Sequence, residues 1–325
     1  TQITKLVTLL KEKFTFADHV EMSIEIDPRE IEMNLAKHLF DLGFNRLSIG
    51  VQDIDKKVQE TINRVQSTEF IAHAKQVGFN SINIDLIYGL PHQTIETFTN
   101  TLNKAHEMNV DRISLFSYAH LPSRFAAQRK LRDEWLPSVQ EKFALMKLAI
   151  EKLCSFGYDF IGMDHFAKPN DELSIAQKGG TLHRNFQGYT TKGGCDLLGL
   201  GVSSISNIGT SFSQNIKELQ DYYKAVDTKK NAQVKGVSLS KDDLIRGEVI
   251  RELMCNLYID KNTINEKYNI DFAEYFAEDL PLLSTFIEDG LVENTTHFIR
   301  VDQKARLLIR NICMSFDAYM KKHVN

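Results

Sequence analysis

The segment Ser81-Ile82-Asn83-Ile84-Asp85-Leu86-Ile87-Tyr88 is rich in apolar and β-branched residues, and Gly89-Leu90-Pro91 follows it at once. This order predicts a largely buried β-strand that ends in a tight turn. An amphipathic stretch over residues 94–108 comes next and predicts a helix. The same succession of strand and helix recurs along the first half of the chain. Because neighbouring parallel strands need a crossover helix between them, it predicts an α/β fold built on a parallel sheet.

The rest of this region continues the pattern. We predict further strands at residues 20–27, 46–52, 112–118 and 159–163. Helical segments are predicted at residues 28–42 and 138–156, and helical material also follows the strand at 46–52 and ends at residue 77. Gly43 and Gly78, just past two of these helices, are typical helix stops. No G-x-G-x-x-G sequence and no Walker-type loop follows a predicted strand. We therefore expect a partial parallel (β/α) barrel rather than a dinucleotide-binding fold.

The second half of the chain has a different character. Residues 167–200 lose periodicity and are rich in polar, aromatic and cationic side chains, which is typical of a functional loop, and residues 197–206 predict a short strand. From residue 236 onward the pattern predicts a smaller, helical, winged-helix-like domain. Its predicted elements are helices at residues 242–257, 262–268, 271–289 and 304–322 and a β-ribbon at 291–301.

Charge and composition limit the function classes. The chain of 325 residues has a formal net charge of −4, and its C-terminal region is also acidic, so neither nucleic acid nor a membrane surface is expected as a partner. We expect the C-terminal domain, residues 236–325, to pack on the barrel domain, residues 1–235, or to cover its mouth. No apolar run could span a bilayer and no leader is recognisable, which favours a cytoplasmic protein. The four cysteines form no close pair, so no metal site is predicted from them.

The start of the chain is unusual. It begins Thr1-Gln2-Ile3, without Met, and runs directly into an amphipathic pattern with no recognisable helix cap ahead of it. We therefore expect that an N-terminal portion is missing.

Polar residues near the ends of predicted strands are the candidates for a binding site. Glu25, Gln52 and Asp85 come from three different strands, and the carboxyl ends of parallel barrel strands meet at one mouth. Each of these residues alone could equally be a solvated or hydrogen-bonded strand residue. Asp164-His165 could be an acid–base or ligand pair, or a structural hydrogen-bonded pair.

Several longer strings resemble the oxygen-independent coproporphyrinogen III oxidase family of the radical S-adenosylmethionine (SAM) superfamily. They include Glu25-Ile26-Asp27-Pro28-Arg29, Asn83 through Pro91, Gly162-Met163-Asp164-His165-Phe166 and His183 through Thr191. The resemblance covers essentially the whole chain. It implies a radical SAM barrel and a cytosolic enzyme of haem synthesis that oxidatively decarboxylates two propionates of coproporphyrinogen III to vinyl groups, giving protoporphyrinogen IX. A reduced 4Fe–4S cluster would pass an electron to SAM, and an electron donor would serve the cluster. We expect a monomer.

The resemblance also implies positions for two SAM molecules. Glu25 and Ile205 match ligands of the SAM on the cluster, and the residues that match ligands of the second SAM are Gln52, Arg64, Asp85 and Ala119. Arg64 could pair with a carboxylate, whereas Asp85 and Gln52 could bind ribose or amino groups. We further hypothesise that Arg184 binds a substrate propionate.

One feature of the family is absent from the sequence. Its cluster cysteines, spaced C-x-x-x-C-x-x-C, do not occur in residues 1–325, so no metal ligands are assigned and this chain alone is expected to be inactive. Two alternatives stay open: a radical SAM enzyme with another substrate, and a haem- or porphyrin-binding chaperone on the same scaffold.

Overall fold

The computed structural model describes residues 1–229 and 231–321, which form two compact units, one of residues 1–174 and one beginning at Ile175. The first unit contains helices α1 (Gln2–Lys13), α2 (Asn34–Leu42), α3 (Lys56–Thr61), α4 (Glu69–Val77), α5 (Ile95–Glu107) and α6 (Val139–Ser155). Its strands are β1 (Ser23–Ile26), β2 (Arg46–Gln52), β3 (Ser81–Tyr88), β4 (Arg112–Ser117), β5 (Asp159–Gly162) and β6 (His165–Ala167).

The strands form one six-stranded sheet in the order β1-β2-β3-β4-β6-β5. β1 to β4 are parallel, which confirms the predicted α/β fold with a parallel sheet. The strand predicted at residues 159–163 corresponds to β5, which follows α6 as the strand–helix succession predicts, but it does not pair with β4. Instead β6 lies between them and is antiparallel to both. The turn at Gly162 and Met163, where φ is +149° and +52°, reverses the chain too tightly for a crossover helix.

The two faces of the sheet differ in composition. Leu47, Ile49 and Ile84 are fully buried in a core that includes helix residues such as Leu102 and Leu145. Because side chains alternate along a strand, the residues between these positions lie on the opposite face, and most of those are polar. The helices therefore pack against the apolar face, and the opposite, polar face is the candidate for a binding site.

The helix ends follow from specific residues. Gly43 and Gly78 end α2 and α4 with φ of +106° and +109°, as their positions in the sequence predict. At the start of α1, the Thr1 hydroxyl accepts a hydrogen bond from the Thr4 amide at 3.3 Å. The expectation that this helix has no cap is therefore wrong.

The second unit begins within α7 (Glu172–Lys178) and continues with strands β7 (His183–Asn185), β8 (Gly188–Thr190), β9 (Ile205–Ile208) and β10 (Ser211–Asn215), helix α8 (Leu219–Lys229) and strand β11 (Gln233–Ser238). β7 and β8 form a hairpin, and β9 to β11 form an antiparallel sheet. The expectation of an irregular loop over 167–200 is therefore wrong in part. The strand predicted at 197–206 is also wrong, because Gly199 folds back against the backbone of Ile205 and only one bridge, Leu197 to Asn207, precedes β9.

The C-terminal elements share a separate hydrophobic core that runs from Ile245 to Phe316. They are α9 (Lys241–Asn256), β12 (Tyr258–Asp260), α10 (Lys261–Tyr268), α11 (Phe272–Tyr275), α12 (Ser284–Glu288), β13 (Val292–Asn294), β14 (Phe298–Val301), α13 (Ile309–Met314) and α14 (Ala318–Lys321). The predicted ribbon corresponds to β13 and β14, and β12 joins it as a third strand.

Two long helices predicted in this region are interrupted. The helix expected at 271–289 breaks into α11, a 3-10 turn over Leu280–Leu283 and α12, because Pro281 cannot donate the hydrogen bond that a continuous helix needs. The helix expected at 304–322 is a 3-10 turn, Gln303–Leu308, followed by α13 and α14, and residue 322 lies outside the described residues.

The compact units divide after Ser174, whereas the predicted domains divide after residue 235. Packing and sequence character are different criteria, so the predicted domains stay a prediction. No helix in the described part of the chain combines the length and apolar character needed to cross a membrane.

Candidate functional site

A row of polar and small residues crosses the face of the sheet that the helices leave open. Gly50 on β2 is the register partner of Asp85 on β3, Asp85 is the partner of Ser114 on β4, and Ser114 is the partner of His165 on β6. Glu25 on β1 is the partner of Ser48, which lies two residues before Gly50 on the same face. Five strands thus contribute to one polar surface.

Asp85 lies in the middle of this surface and is held by amides and hydroxyls. Asn83 Nδ2 donates to Asp85 Oδ1 at 2.8 Å and to Ser48 Oγ at 2.8 Å, while Ser114 Oγ donates to Asn83 Oδ1 at 3.2 Å. Burial raises the pKa of the Asp85 carboxyl above its ordinary value, and the charge of Glu25 raises it further. Glu25 and Asp85 are therefore close enough to interact electrostatically.

The two ends of the polar face differ in charge compensation. At its amino end, Arg46 pairs with Glu172 at 2.5 Å, and Arg112 pairs with Asp171 at 2.9 Å. Towards its carboxyl end, neither Glu25 nor Asp85 forms an ion pair with any residue that the structure describes. The carboxyl end therefore offers two acidic groups to a ligand that brings hydroxyl donors or positive charge.

Gln52 and Arg64 converge on Gly50. A Cβ atom at Gly50 would lie 2.8 Å from Gln52 Nε2 and 3.4 Å from Arg64 Nη2, so the absence of a side chain makes room for both. Arg64 Nη2 pairs with Asp27 Oδ2 at 3.0 Å, but Arg64 Nε is buried and lacks a hydrogen-bond partner in the described structure. Such a donor is costly to leave unpaired and is available to an acceptor on a ligand.

Ala119 follows β4 and is exposed, and its backbone is fixed by neighbours. The Ala119 carbonyl accepts a hydrogen bond from Gln128 Nε2 at 3.0 Å, and the preceding Tyr118 carbonyl accepts one from Lys142 Nζ. Four of the predicted residues, namely Glu25, Gln52, Arg64 and Asp85, are thus brought together around the ends of β1 to β3. Ala119 lies just past the end of the adjacent strand β4.

The other two predicted residues belong to the second unit. Ile205 begins β9 and is half-buried, and its carbonyl oxygen would lie 2.6 Å from a Cβ at Gly199, so only glycine fits there. Arg184 lies on β7 with its guanidinium 5.4 Å from the ring centre of Tyr189, and its Nε is buried without a hydrogen-bond partner. Arg184 forms no ion pair within the described residues, so its charge is available to an anion.

Sequence reasoning missed part of the polar face. Ser48, Asn83 and Ser114 were not identified, although polar residues at every second position of an otherwise apolar strand were the available signal. Asp164 and His165, for which two interpretations stayed open, are hydrogen-bonded to each other at 2.6 Å. His165 also lies in the row of Asp85 and lowers its pKa.

Comparisons with known proteins identify the family. Residues 2–105 match the radical SAM superfamily model, and residues 239–308 match the HemN C-terminal domain model. The chain is 55% identical to the oxygen-independent coproporphyrinogen III oxidase of Salmonella typhimurium and 54% identical to that of Escherichia coli, with 99% of this chain and 71% of each relative covered. A solved structure described as "Coproporphyrinogen III oxidase (HemN) from Escherichia coli is a Radical SAM enzyme" matches with a TM-score of 0.96 at 54% identity, covering 98% of this chain and 74% of that one.

The chain belongs to the oxygen-independent coproporphyrinogen III oxidase family. The resemblance stated from the sequence is thereby confirmed, as is the predicted fold class of a radical SAM α/β domain with a smaller C-terminal domain. Members of this family use SAM and a 4Fe–4S cluster.

The polar face of this family member fits SAM. SAM carries ribose hydroxyls, an ammonium group, a sulfonium and a carboxylate. The carboxylates of Glu25 and Asp85, which form no ion pair within the described residues, suit the hydroxyls and the positive groups, and the buried Nε of Arg64, which has no partner in the described structure, suits a carboxylate.

The cysteines of the chain do not fit the cluster, which needs several thiolates directed at one point. Cys154 and Cys195 are exposed, whereas Cys255 and Cys313 are buried in α9 and α13. Burial raises the pKa of both buried thiols to about 12. Across residues 1–229 and 231–321, no group of three or more His, Cys, Asp or Glu side chains could hold a metal ion.

Proposed function

We propose that this chain supplies the SAM-binding sheet and the C-terminal domain of an oxygen-independent coproporphyrinogen III oxidase, the enzyme that converts two propionates of coproporphyrinogen III into the vinyl groups of protoporphyrinogen IX. The observation that carries the proposal is the acidic end of the polar face, where Glu25 on β1 and Asp85 on β3, on either side of β2, form no ion pair within the described residues. Identity of 54–55% with relatives named as this oxidase supports it over another substrate or a haem-binding chaperone.

The role proposed for the sheet is to bind and orient SAM, which supplies a hydrogen-abstracting radical when it is cleaved. Glu25 and Ile205 would bind the SAM whose sulfonium is reduced. Asp85 and Gln52 would accept and donate hydrogen bonds at the ribose or amino group of a second SAM, Arg64 would bind its carboxylate, and Ala119 would contact it. Fixed polar groups of this kind hold a ligand in one pose, which is what selective attack on a single carbon requires.

The role proposed for Arg184 is to bind a propionate of the substrate. Its guanidinium has no ion pair within the described residues and packs beside Tyr189, which restricts its motion. A preorganised arginine binds a carboxylate through two parallel hydrogen bonds.

We also propose that an electron donor is a further partner of the enzyme and that the protein is a monomer in the cytoplasm.

The test of the function is an anaerobic assay of the intact gene product that contains residues 1–325, with SAM and coproporphyrinogen III. We expect loss of two carboxyl groups per substrate, detected by mass spectrometry. Tight haem binding without turnover would instead support the chaperone. If neither SAM nor coproporphyrinogen III is converted, the oxidase assignment is refuted.

Arg184→Ala tests the propionate contact in the same assay. We expect a KM for coproporphyrinogen III that is higher by about tenfold, the effect usual for a lost charge-assisted hydrogen bond, with a smaller change in kcat. The matched control is Arg132→Ala, since Arg132 is 68% exposed. An unchanged KM in Arg184→Ala would contradict the assignment.

A further inference from the structure

The end of strand β2 is held in a strained turn. Gln52 has a φ of +65°, in the left-handed region that a glutamine rarely adopts. The Asp53 amide donates to the Val51 carbonyl at 2.8 Å across it, which closes a γ-turn. This turn aims the Gln52 amide back over Gly50. A strained conformation of this kind persists only where surrounding contacts fix it.

The contacts that fix the turn centre on the carboxylate of Asp53, which is fully buried. Asp53 Oδ1 accepts hydrogen bonds from the Thr101 hydroxyl at 2.6 Å and from the Asp55 amide at 2.8 Å, and Oδ2 accepts one from Gln93 Nε2 at 2.5 Å. Asp53 forms no ion pair within the part of the chain that the structure describes. Because only neutral hydrogen-bond donors stabilise this buried anion, its stability depends on every one of those hydrogen bonds.

The carboxylate also determines which way the Gln93 amide faces. Because the Asp53 carboxylate can only accept hydrogen bonds, Gln93 must direct its NH2 group towards it. Gln93 Nε2 also donates to the Ile87 carbonyl at 2.7 Å. Gln93 Oε1 is thereby turned to the next loop, where it accepts from the amides of Gly89 at 2.7 Å and Leu90 at 3.0 Å. The turns that follow β2 and β3 are thus joined through one pair of side chains.

The network is anchored to the helical layer. Thr101 lies on α5 and is fully buried, and Gln59 on α3 donates from Nε2 to the Asp53 carbonyl at 2.9 Å. None of these helix residues lies in the polar row of the sheet, so they act on it only through the turns.

We propose that Asp53, Gln93 and Thr101 are positioning residues, whose buried hydrogen-bond network holds the Gln52 turn and the Gly89 turn in the conformation that the adenosyl ligand requires. The inference rests on the proposed function of the polar face as a SAM site. It adds three residues that need not touch the ligand.

The test compares Thr101→Val with Thr101→Ser. Valine keeps the shape of threonine but removes the hydroxyl, whereas serine keeps the hydroxyl. In Thr101→Val we expect faster amide hydrogen exchange in residues 52–55 and 87–93, and a Kd for SAM in equilibrium dialysis that is higher by about five- to tenfold, the effect of one lost buried hydrogen bond. Thr101→Ser should restore both. Thr99→Val is the matched control and should change neither, because the half-buried Thr99 hydroxyl donates to the Ile95 carbonyl of the same helix.

The outcomes separate this inference from the proposed function. A lower melting temperature of Thr101→Val with unchanged exchange in the two turns and unchanged Kd would show a merely structural role and refute the inference. If the wild-type chain itself does not retain SAM, the proposed function fails, while the exchange comparison still decides whether the network holds the turns. Asp53→Asn is the second variant and should accelerate exchange in the same two segments, because its new NH2 group faces another donor.

Discussion

At the scale of single residues, Asp85 keeps a carboxylate where burial disfavours its charge. Its neighbours Asn83 and Ser114 supply neutral contacts, and the nearby Glu25 adds repulsion. A residue retained at a cost to folding is expected at sites whose purpose is binding rather than stability. The same reasoning applies to Gln52, whose left-handed backbone is unfavourable for a residue with a side chain.

Asp85→Asn should stabilise the chain and weaken SAM binding. The pKa of Asp85 is higher in the folded than in the unfolded state, so the folded state binds more protons between the two pKa values. Stability therefore falls as the pH rises through that window, and the penalty is fully present above it. The neutral variant lacks this penalty. We expect a free energy of unfolding at pH 7 that is higher by about 1 kcal/mol.

Urea unfolding across a pH series checks this prediction, with SAM dialysis on the same samples. The difference between Asp85→Asn and wild type should vanish at low pH and grow as the pH rises. Asp41→Asn is the control, because Asp41 is exposed on α2, where it pairs with Lys37. A variant that is less stable than wild type at pH 7 would show that the carboxylate is not penalised by burial.

At the scale of elements, the hairpin β7–β8 is positioned by the close contact of a histidine with a glycine. A Cβ at Gly193 would lie 2.2 Å from ring atoms of His183, the residue before Arg184. The backbone of Gly193 therefore forms part of the surface on which the hairpin packs, and any larger residue must displace His183.

Gly193→Ala should therefore disturb the hairpin. We expect faster hydrogen exchange in residues 183–190, and a raised KM for coproporphyrinogen III in the intact gene product because Arg184 shifts with the strand. The control is Gly247→Ala, where a Cβ meets no atom within 4 Å inside α9. Alanine should stabilise that helix by up to about 1 kcal/mol. Normal exchange across the hairpin in Gly193→Ala would contradict this account of its packing.

The sequence predicts those elements that have a clear period of apolar residues and a recognisable residue at which they end. The predicted bounds of β2 and β3 agree with the structure, because each strand alternates or runs apolar over several residues and ends at a turn. β6 and the β7–β8 hairpin were missed because three residues are too few to show a period, and their pairing depends on partners distant in sequence. The convergence of Glu25, Gln52 and Asp85 follows from parallel strand ends. The Asp53–Gln93 contact joins loops 40 residues apart, and no local pattern predicts it.

At the scale of the whole molecule, the chain carries two separate hydrophobic cores and spans 71% of the length of its Salmonella typhimurium and Escherichia coli relatives. The first core supports the polar sheet face. The second is built from the C-terminal helices and ribbon and includes Cys313, and Cys255 is buried on α9. These thiols therefore serve packing, which is the usual role of a buried cysteine far from any metal ligand.

Anaerobic reconstitution of the 325-residue chain with iron and sulfide should yield no stable cluster. Cys255 and Cys313 are protonated at neutral pH, since burial raises the pKa of each to about 12, and iron–sulfur clusters need thiolates. We expect iron and acid-labile sulfide far below cluster stoichiometry after desalting, and no cluster signal in electron paramagnetic resonance. The control is the double variant Cys154→Ser with Cys195→Ser, which should lose whatever iron the two exposed thiols retain. SAM dialysis of the same sample is the control that shows whether the sheet is intact. A stable cluster at full occupancy would refute this assignment of the cysteines to packing alone.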